Sequence, residues 1–309
     1  MTPAPSRIRS SAMVLAAVAV TSSWWAAPQR NSAEVIAAAV GDMACAEGAG
    51  STAGTEDSSA VCREMAVSDA MLDRHPDVLL ALGDEQYERG EPQGWRPYDR
   101  SYGRLRQVTR PVPGNHEYLT PDASGYFGYF GDLAGRPERG YYSFDLGAWH
   151  FVALNSECTD VGGCGEASPQ LAWLRADLDQ HRTRCALAYW HIPRFSSGEH
   201  GDHTAYRAMW RTLAAHGVDL VLGGHDHHYE RLAAMDADGQ VDDRTGIRSF
   251  IVGTGGRNLR PVTGRRPGSE QVIDNAFGFL ELRLRADQYT WRFAGPDVGV
   301  LDLGESRCH

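Results

Sequence analysis

The sequence predicts a layered α/β domain built on mixed β-sheets. Three observations carry that prediction: short apolar runs that end in glycine or a polar loop, helical segments between them, and paired segments that read as hairpins. Residues 35–40 run into Gly41-Asp42, 78–82 into Gly83-Asp84, and 110–112 into Gly114-Asn115-His116-Glu117. Residues 187–190 run into His191, and 218–222 into Gly223-Gly224-His225. Each is expected to be a buried strand whose carboxyl end delivers a polar residue.

The remaining elements fit between these strands. Residues 62–74 and 204–215 have helical character. Ser168 stands as an N-cap before Pro169 at the first helical position, with Leu171, Leu174 and Leu178 on one face. Residues 141–146 and 149–154, around Gly147-Ala148, read as one β-hairpin, and 279–285 with 289–293 as another. Residues 253–269 are rich in Gly, Arg and Pro and read as a surface loop. No repeat or long linker interrupts the chain, so residues 28–309 read as one domain.

Residues 1–27 read as an export signal: Arg7 and Arg9, then the apolar run 13–20, then Ser22, Ser23, Trp24, Trp25, Ala26 and Ala27. A retained N-terminal anchor is the alternative, because Trp25 stands where a signal cleavage site prefers a small residue. No segment has the roughly 20 apolar residues of a transmembrane helix. The six cysteines agree with export: they form an even set without CxxC spacing. Proximity in sequence pairs Cys45 with Cys62 and Cys158 with Cys164, leaving Cys185 for the late Cys308. The expected location is outside the cell or at its envelope.

Composition narrows the function. The 309 residues include 42% hydrophobic and 23% charged residues, ordinary globular values that exclude a disordered chain. With 30 basic and 40 acidic residues the net charge is −10, every basic residue is Arg, and no basic stripe occurs. Nucleic acid is therefore not an expected partner. An anionic substrate needs positive charge from something other than side chains.

The strand ends supply a means. They deliver Asp42, Asp84, Tyr87, Asn115, His116, His191, His225 and His227, which are oxygen and imidazole donors without a thiolate. Hard or borderline metals such as iron, manganese or zinc take such a set. Seven of these, all but His116, overfill one ion but fit two ions that share a carboxylate about 3.5 Å apart. His225 and His227, two residues apart on an extended turn, can reach neighbouring ions.

These motifs resemble those of the calcineurin-like metallophosphoesterase superfamily and, within it, of the purple acid phosphatases. Five appear in order: Gly41-Asp42, Gly83-Asp84-Glu85-Gln86-Tyr87, Gly114-Asn115-His116-Glu117, Trp190-His191-Ile192-Pro193 and Gly224-His225-Asp226-His227. Many superfamily members carry a metal-binding His two residues after the first Asp. Ala44 stands there in this chain, and Tyr87 matches the phenolate ligand of purple acid phosphatases. The resemblance implies an α-β-β-α architecture, a β-sandwich of mixed sheets flanked by helices.

It also implies a binuclear centre. Asp42, Tyr87 and His227 bind a ferric ion, Asn115, His191 and His225 bind a divalent ion (iron, zinc or manganese), and Asp84 bridges them. The implied activity is hydrolysis of phosphate monoesters by attack of metal-bound hydroxide. His116 contacts phosphate and can protonate the leaving alcohol, and His200, nine residues after His191, matches a second substrate-contacting His of plant members. Arg194 is a further candidate substrate contact, without a motif behind it. Rival functions are a metal-dependent phosphodiesterase or nucleotidase on the same scaffold, and a non-catalytic phosphate- or metal-binding surface protein.

Overall fold

Central strands here are apolar on both faces, which demands a covering layer on each side. The computed structural model describes Met1 and residues 34–48 and 62–309, and the fold belongs to the unit Ala33–His309. The expected signal segment lies, beyond Met1, outside the described residues.

In chain order the elements begin with β1 (Val35–Val40), α1 (Glu64–Leu72), β2 (Val78–Ala81), α2 (Arg96–Arg100), β3 (Thr109–Pro111) and α3 (Ser124–Phe130). The hairpin β4 (Tyr142–Leu146) and β5 (Trp149–Ala153) precedes α4 (Pro169–Gln180), β6 (Cys185–Tyr189), α5 (Arg207–Ala215) and β7 (Leu220–Gly223). The chain ends with β8 (Tyr229–Leu232), β9 (Arg248–Val252), β10 (Ser269–Ile273), β11 (Phe279–Leu284), β12 (Gln288–Gly295) and β13 (Gly299–Arg307).

The strands form a six-stranded sheet, ordered β13-β12-β11-β1-β2-β3, and a seven-stranded sheet, ordered β10-β8-β9-β7-β6-β5-β4. Both are mixed. β1, β2 and β3 run parallel, as do β5, β6, β7 and β9, with antiparallel strands outside them.

The two-residue period of a strand divides the side chains between two cores. Phe151, Leu187, Tyr189, Leu220, Leu222, Phe250 and Val252 face the six-stranded sheet in the larger core. Their neighbours Val152, Ala186, Ala188, Val221 and Ile251 pack outward with Leu171, Leu174 and Leu178 of α4 and Met209, Trp210 and Leu213 of α5. Val67 and Met71 of α1 join the larger core, so helices flank the paired sheets in the expected α-β-β-α order. Ser168 caps α4 by accepting the Leu171 N–H at 3.3 Å.

Three disulfides join Cys45 to Cys62, Cys158 to Cys164 and Cys185 to Cys308, the pairing expected from sequence. No helix among the described residues is long and apolar enough to cross a membrane. One expectation needs correction. The start of the 253–269 loop is buried: Gly255 N–H donates to Gly41 O and Arg257 N–H to Asp42 O, both at 3.0 Å. Its small residues permit this close approach to the end of β1.

Candidate metal centre

The carboxyl ends of β1, β2 and β3 meet those of β6 and β7 across the sandwich, and the side chains delivered there converge. Tight backbone geometry aims them. Asp42, Asp84 and His225 have φ of 57°, 50° and 71°, the left-handed region. Gly83 has φ of 87°, and a Cβ there would lie 2.6 Å from His191 Nδ1. At Gly114 a Cβ would lie 2.2 Å from Asp84 Oδ1, so glycine alone lets the β3 loop pass this carboxylate.

Each carboxylate has one oxygen fixed and one directed into the cup. Asp42 Oδ2 accepts the His225 N–H at 2.8 Å, and Asp84 Oδ1 accepts the His116 N–H at 3.0 Å. The other oxygens meet the buried phenol: Tyr87 Oη lies 2.8 Å from Asp42 Oδ1 and 2.9 Å from Asp84 Oδ2. His227 Nε2 completes this group, 3.1 Å from Tyr87 Oη and 3.2 Å from Asp42 Oδ1.

A second group shares Asp84. His191 Nε2 stands 3.4 Å from Asp84 Oδ2, 3.2 Å from Asn115 Oδ1 and 3.3 Å from His225 Nδ1. His191 and His227 are oriented from behind, their Nδ1 atoms donating to Leu82 O at 2.8 Å and Asn258 O at 2.7 Å. In the neutral rings this turns both Nε2 lone pairs toward oxygens that also carry lone pairs.

Such an array repels itself unless protons or cations occupy its centre. With protons alone, the balance is visible in the pKa directions. Burial pushes Asp42 and Asp84 up, but His227 beside the first and His191 beside the second hold both below the ordinary carboxylate range. Burial and the two carboxylates push Tyr87 well above 10. Cations invert this logic. An octahedral ion with donors at about 2.0–2.2 Å has donor–donor edges of roughly 3 Å, the spacing found in both groups. The donor set therefore fits a pair of cations, with Asp84 common to both groups, and Asp42, Asp84 and His191 also approach closely enough to hold one ion together.

Glu117 braces the cup from below. Its Oε2 accepts N–H groups from Asp84 at 3.0 Å and Gly114 at 2.8 Å, and its Oε1 accepts that of Gln86 at 3.2 Å. One buried carboxylate thus ties the second motif to the third.

Two histidines stand at the rim. His116 Nδ1 lies 2.5 Å from Glu88 O, leaving Nε2 toward the cup at 3.8 Å from Asp84 Oδ2. His200 lies with its ring 4.2 Å from that of His225, and its Nδ1 is 2.6 Å from Asp226 Oδ1. Arg194 does not reach the cup. It is buried, its Nη2 donates to Ala237 O at 3.1 Å, and its guanidinium lies 4.2 Å from the Phe195 ring. Glu157, adjoining the Cys158–Cys164 disulfide, faces His191 and Asp84; burial, opposed by His191, pushes its carboxyl up to about 7. Sequence reasoning missed the positions of Asp226, Glu157 and Arg257. The Asp226 side chain could be placed only once the loop carrying His200 was placed.

Comparison with known proteins comes to the same fold. The family model for calcineurin-like phosphoesterases matches residues 40–229. Purple acid phosphatase 18 of Arabidopsis thaliana is 34% identical over 226 residues, covering 67% of this chain and 50% of that protein. The probable inactive purple acid phosphatase 9 of the same plant is 23% identical over 289 residues, covering 75% of this chain and 43% of that one. The chain thus spans half or less of the length of these curated relatives. A purple acid phosphatase from yellow lupin seeds has a similar fold, with a TM-score of 0.71 at 18% identity, over 88% of this chain and 53% of that chain.

Proposed function

The chain belongs to the calcineurin-like phosphoesterase family, and on that premise we propose that it is an exported, binuclear metal-dependent phosphatase acting on phosphate monoesters. One observation carries the reading: Asp84 Oδ2 stands in both donor groups, 2.9 Å from Tyr87 Oη and 3.4 Å from His191 Nε2. On this reading Asp42, Tyr87 and His227 would hold a ferric ion, Asn115, His191 and His225 would hold a divalent iron, zinc or manganese ion, and Asp84 would serve both. When bound, the metals polarise the phosphoryl group, lower the pKa of water and offset developing negative charge.

The protein's own groups do the rest. The backbone N–H groups of His225 and His116, donating to Asp42 and Asp84, together with the carbonyls behind His191 and His227, keep the donors aimed without rearrangement. The carbonyl behind His116 leaves its Nε2 free to bind the phosphoryl oxygen and give a proton to the departing alkoxide. His200 contributes a second contact, held by Asp226. The three disulfides support export, since such bonds persist in oxidising compartments. Turnover of p-nitrophenyl phosphate and bis(p-nitrophenyl) phosphate by the metal-loaded protein tests the substrate assignment. Monoester turnover should dominate at acid pH; a large diester preference assigns the protein to phosphodiesterases, and no turnover of either removes the enzymatic reading.

A further inference from the structure

The loop after β9 brings two arginines to the rim of the cup, and neither serves the hydrolysis described above. Its backbone is bonded directly behind the donors. Arg257 N–H donates to Asp42 O and Arg260 N–H to His227 O, both at 3.0 Å, while Asn258 O receives His227 Nδ1 at 2.7 Å. Loop position and donor position are therefore fixed together.

The Arg257 guanidinium lies beside Tyr87, and that of Arg260 lies beside Glu199 and His200, next to His225. That of Arg257 is 4.9 Å from the Tyr87 ring centroid, and its Nη2 is 2.8 Å from Glu88 Oε1. Arg260 Nη1 pairs with Glu199 Oε1, an oxygen 3.6 Å from His200 Nε2. The acidic partners are 49% and 52% exposed at Glu88 and Glu199. Ion pairs this open contribute little to stability, so exchanging a glutamate for another anion costs little. A phosphate or carboxylate accepted by an arginine fork makes stronger, charge-assisted bonds. The surroundings of His191 have the reverse sign. Glu157 forms no ion pair with an arginine among the described residues, and its carboxylate accepts from Ser156 Oγ at 3.4 Å.

We propose that Arg257 and Arg260 receive a second anionic group of the substrate, so that the favoured substrates are phosphate esters or anhydrides whose leaving portion itself carries a phosphate or carboxylate. The proposal rests on the phosphatase reading for its first phosphoryl site. It adds a direction: the second anion is drawn to the arginine rim and turned away from Glu157.

Calorimetric titration of the purified, metal-loaded protein separates the two ideas. The probes are methylphosphonate, which has one anionic group, and methylenediphosphonate and phosphonoacetate, which add a phosphonate or a carboxylate. At least one two-anion probe should bind tenfold or more tightly than methylphosphonate. Tightening by methylenediphosphonate alone assigns the second group as phosphate, and tightening by phosphonoacetate includes carboxylates. Arg260→Gln and Arg257→Gln should each reduce the gain, their combination should abolish it, and Arg260→Lys should restore part. Equal binding of all three probes within twofold, or a gain that survives the double substitution, overturns the proposal. Turnover of p-nitrophenyl phosphate, measured on the same samples, judges the phosphatase reading independently.

Discussion

Tyr87 is the residue on which the chemistry of the cup turns. Its buried phenol faces Asp42 and Asp84, and burial with these two negative neighbours keeps it protonated far above its ordinary pKa. Only a strongly Lewis-acidic ion reverses that at acid pH, and ferric iron in contact with phenolate absorbs visible light. Iron-loaded protein is therefore expected to be violet, and Tyr87→Phe to lose the visible band while the far-ultraviolet circular dichroism is unchanged. A colourless wild type with two divalent ions bound would leave Tyr87 as a packing residue. The cup was largely legible at this scale because its side chains sit at fixed spacings after apolar runs. Glu117 was visible only as a letter in the third motif. Its bracing role depends on N–H groups of Asp84 and Gln86, more than thirty positions earlier in the chain, which spacing does not reveal.

At the scale of elements, apolar runs ending in glycine or a polar loop marked β1, β2, β3, β6 and β7, and the Ser168-Pro169 start marked α4, whereas β8, β9 and β10 were not read from the sequence. β13 was not anticipated. Among the described strands it pairs only with β12, and residues such as Leu303 and Glu305 on its outer side face solvent, so its sequence lacks a sustained apolar run. A different polar device joins the β4–β5 hairpin to the end of α4. Buried His150 has Nδ1 2.7 Å from Asp145 Oδ1 and Nε2 2.9 Å from Asp177 Oδ2, and its ring stacks on that of His181 at 4.6 Å. Burial lowers its pKa, but Asp177 and Asp145 outweigh this and raise it above 6.5, while burial of Asp177 is outweighed by His150, which holds that carboxyl below 3.8. The histidine's contribution is full below its unfolded pKa and is lost as pH rises through the folded one. The aspartate's contribution is full above its unfolded pKa and is lost as pH falls through the folded one. His150→Gln should therefore cost about 1.5–3 kcal/mol between roughly pH 4 and 6.5, with the deficit shrinking toward alkaline pH. Thermal melts of both proteins across pH 4 to 10 check this; a deficit independent of pH rules out the charged clasp.

Across the whole molecule, the Cys185–Cys308 bond ties β6 to the end of the chain over a separation of 123 residues, whereas Cys158–Cys164 closes only 6. Chain-entropy arguments assign about 5 kcal/mol to the long closure and about 2 to the short one. Replacing Cys185 and Cys308 together by serine should lower the denaturation midpoint more than replacing Cys158 and Cys164, as denaturant titration will show; the reverse order contradicts the entropic account. The sequence could suggest the pairing from order along the chain, but not the convergence of two sheets at one edge. That convergence supports the central proposal, because β1, β2 and β3 contribute donors from one sheet while β6 and β7 contribute them from the other. Elemental analysis of the purified protein and of Asp84→Ala tests it most directly. The wild type should carry about two metal ions per chain, and loss of the shared carboxylate should empty both positions to well under one. A wild type that binds at most one ion under metal-replete conditions, or an Asp84→Ala protein that keeps two, would contradict a centre built on a bridging Asp84.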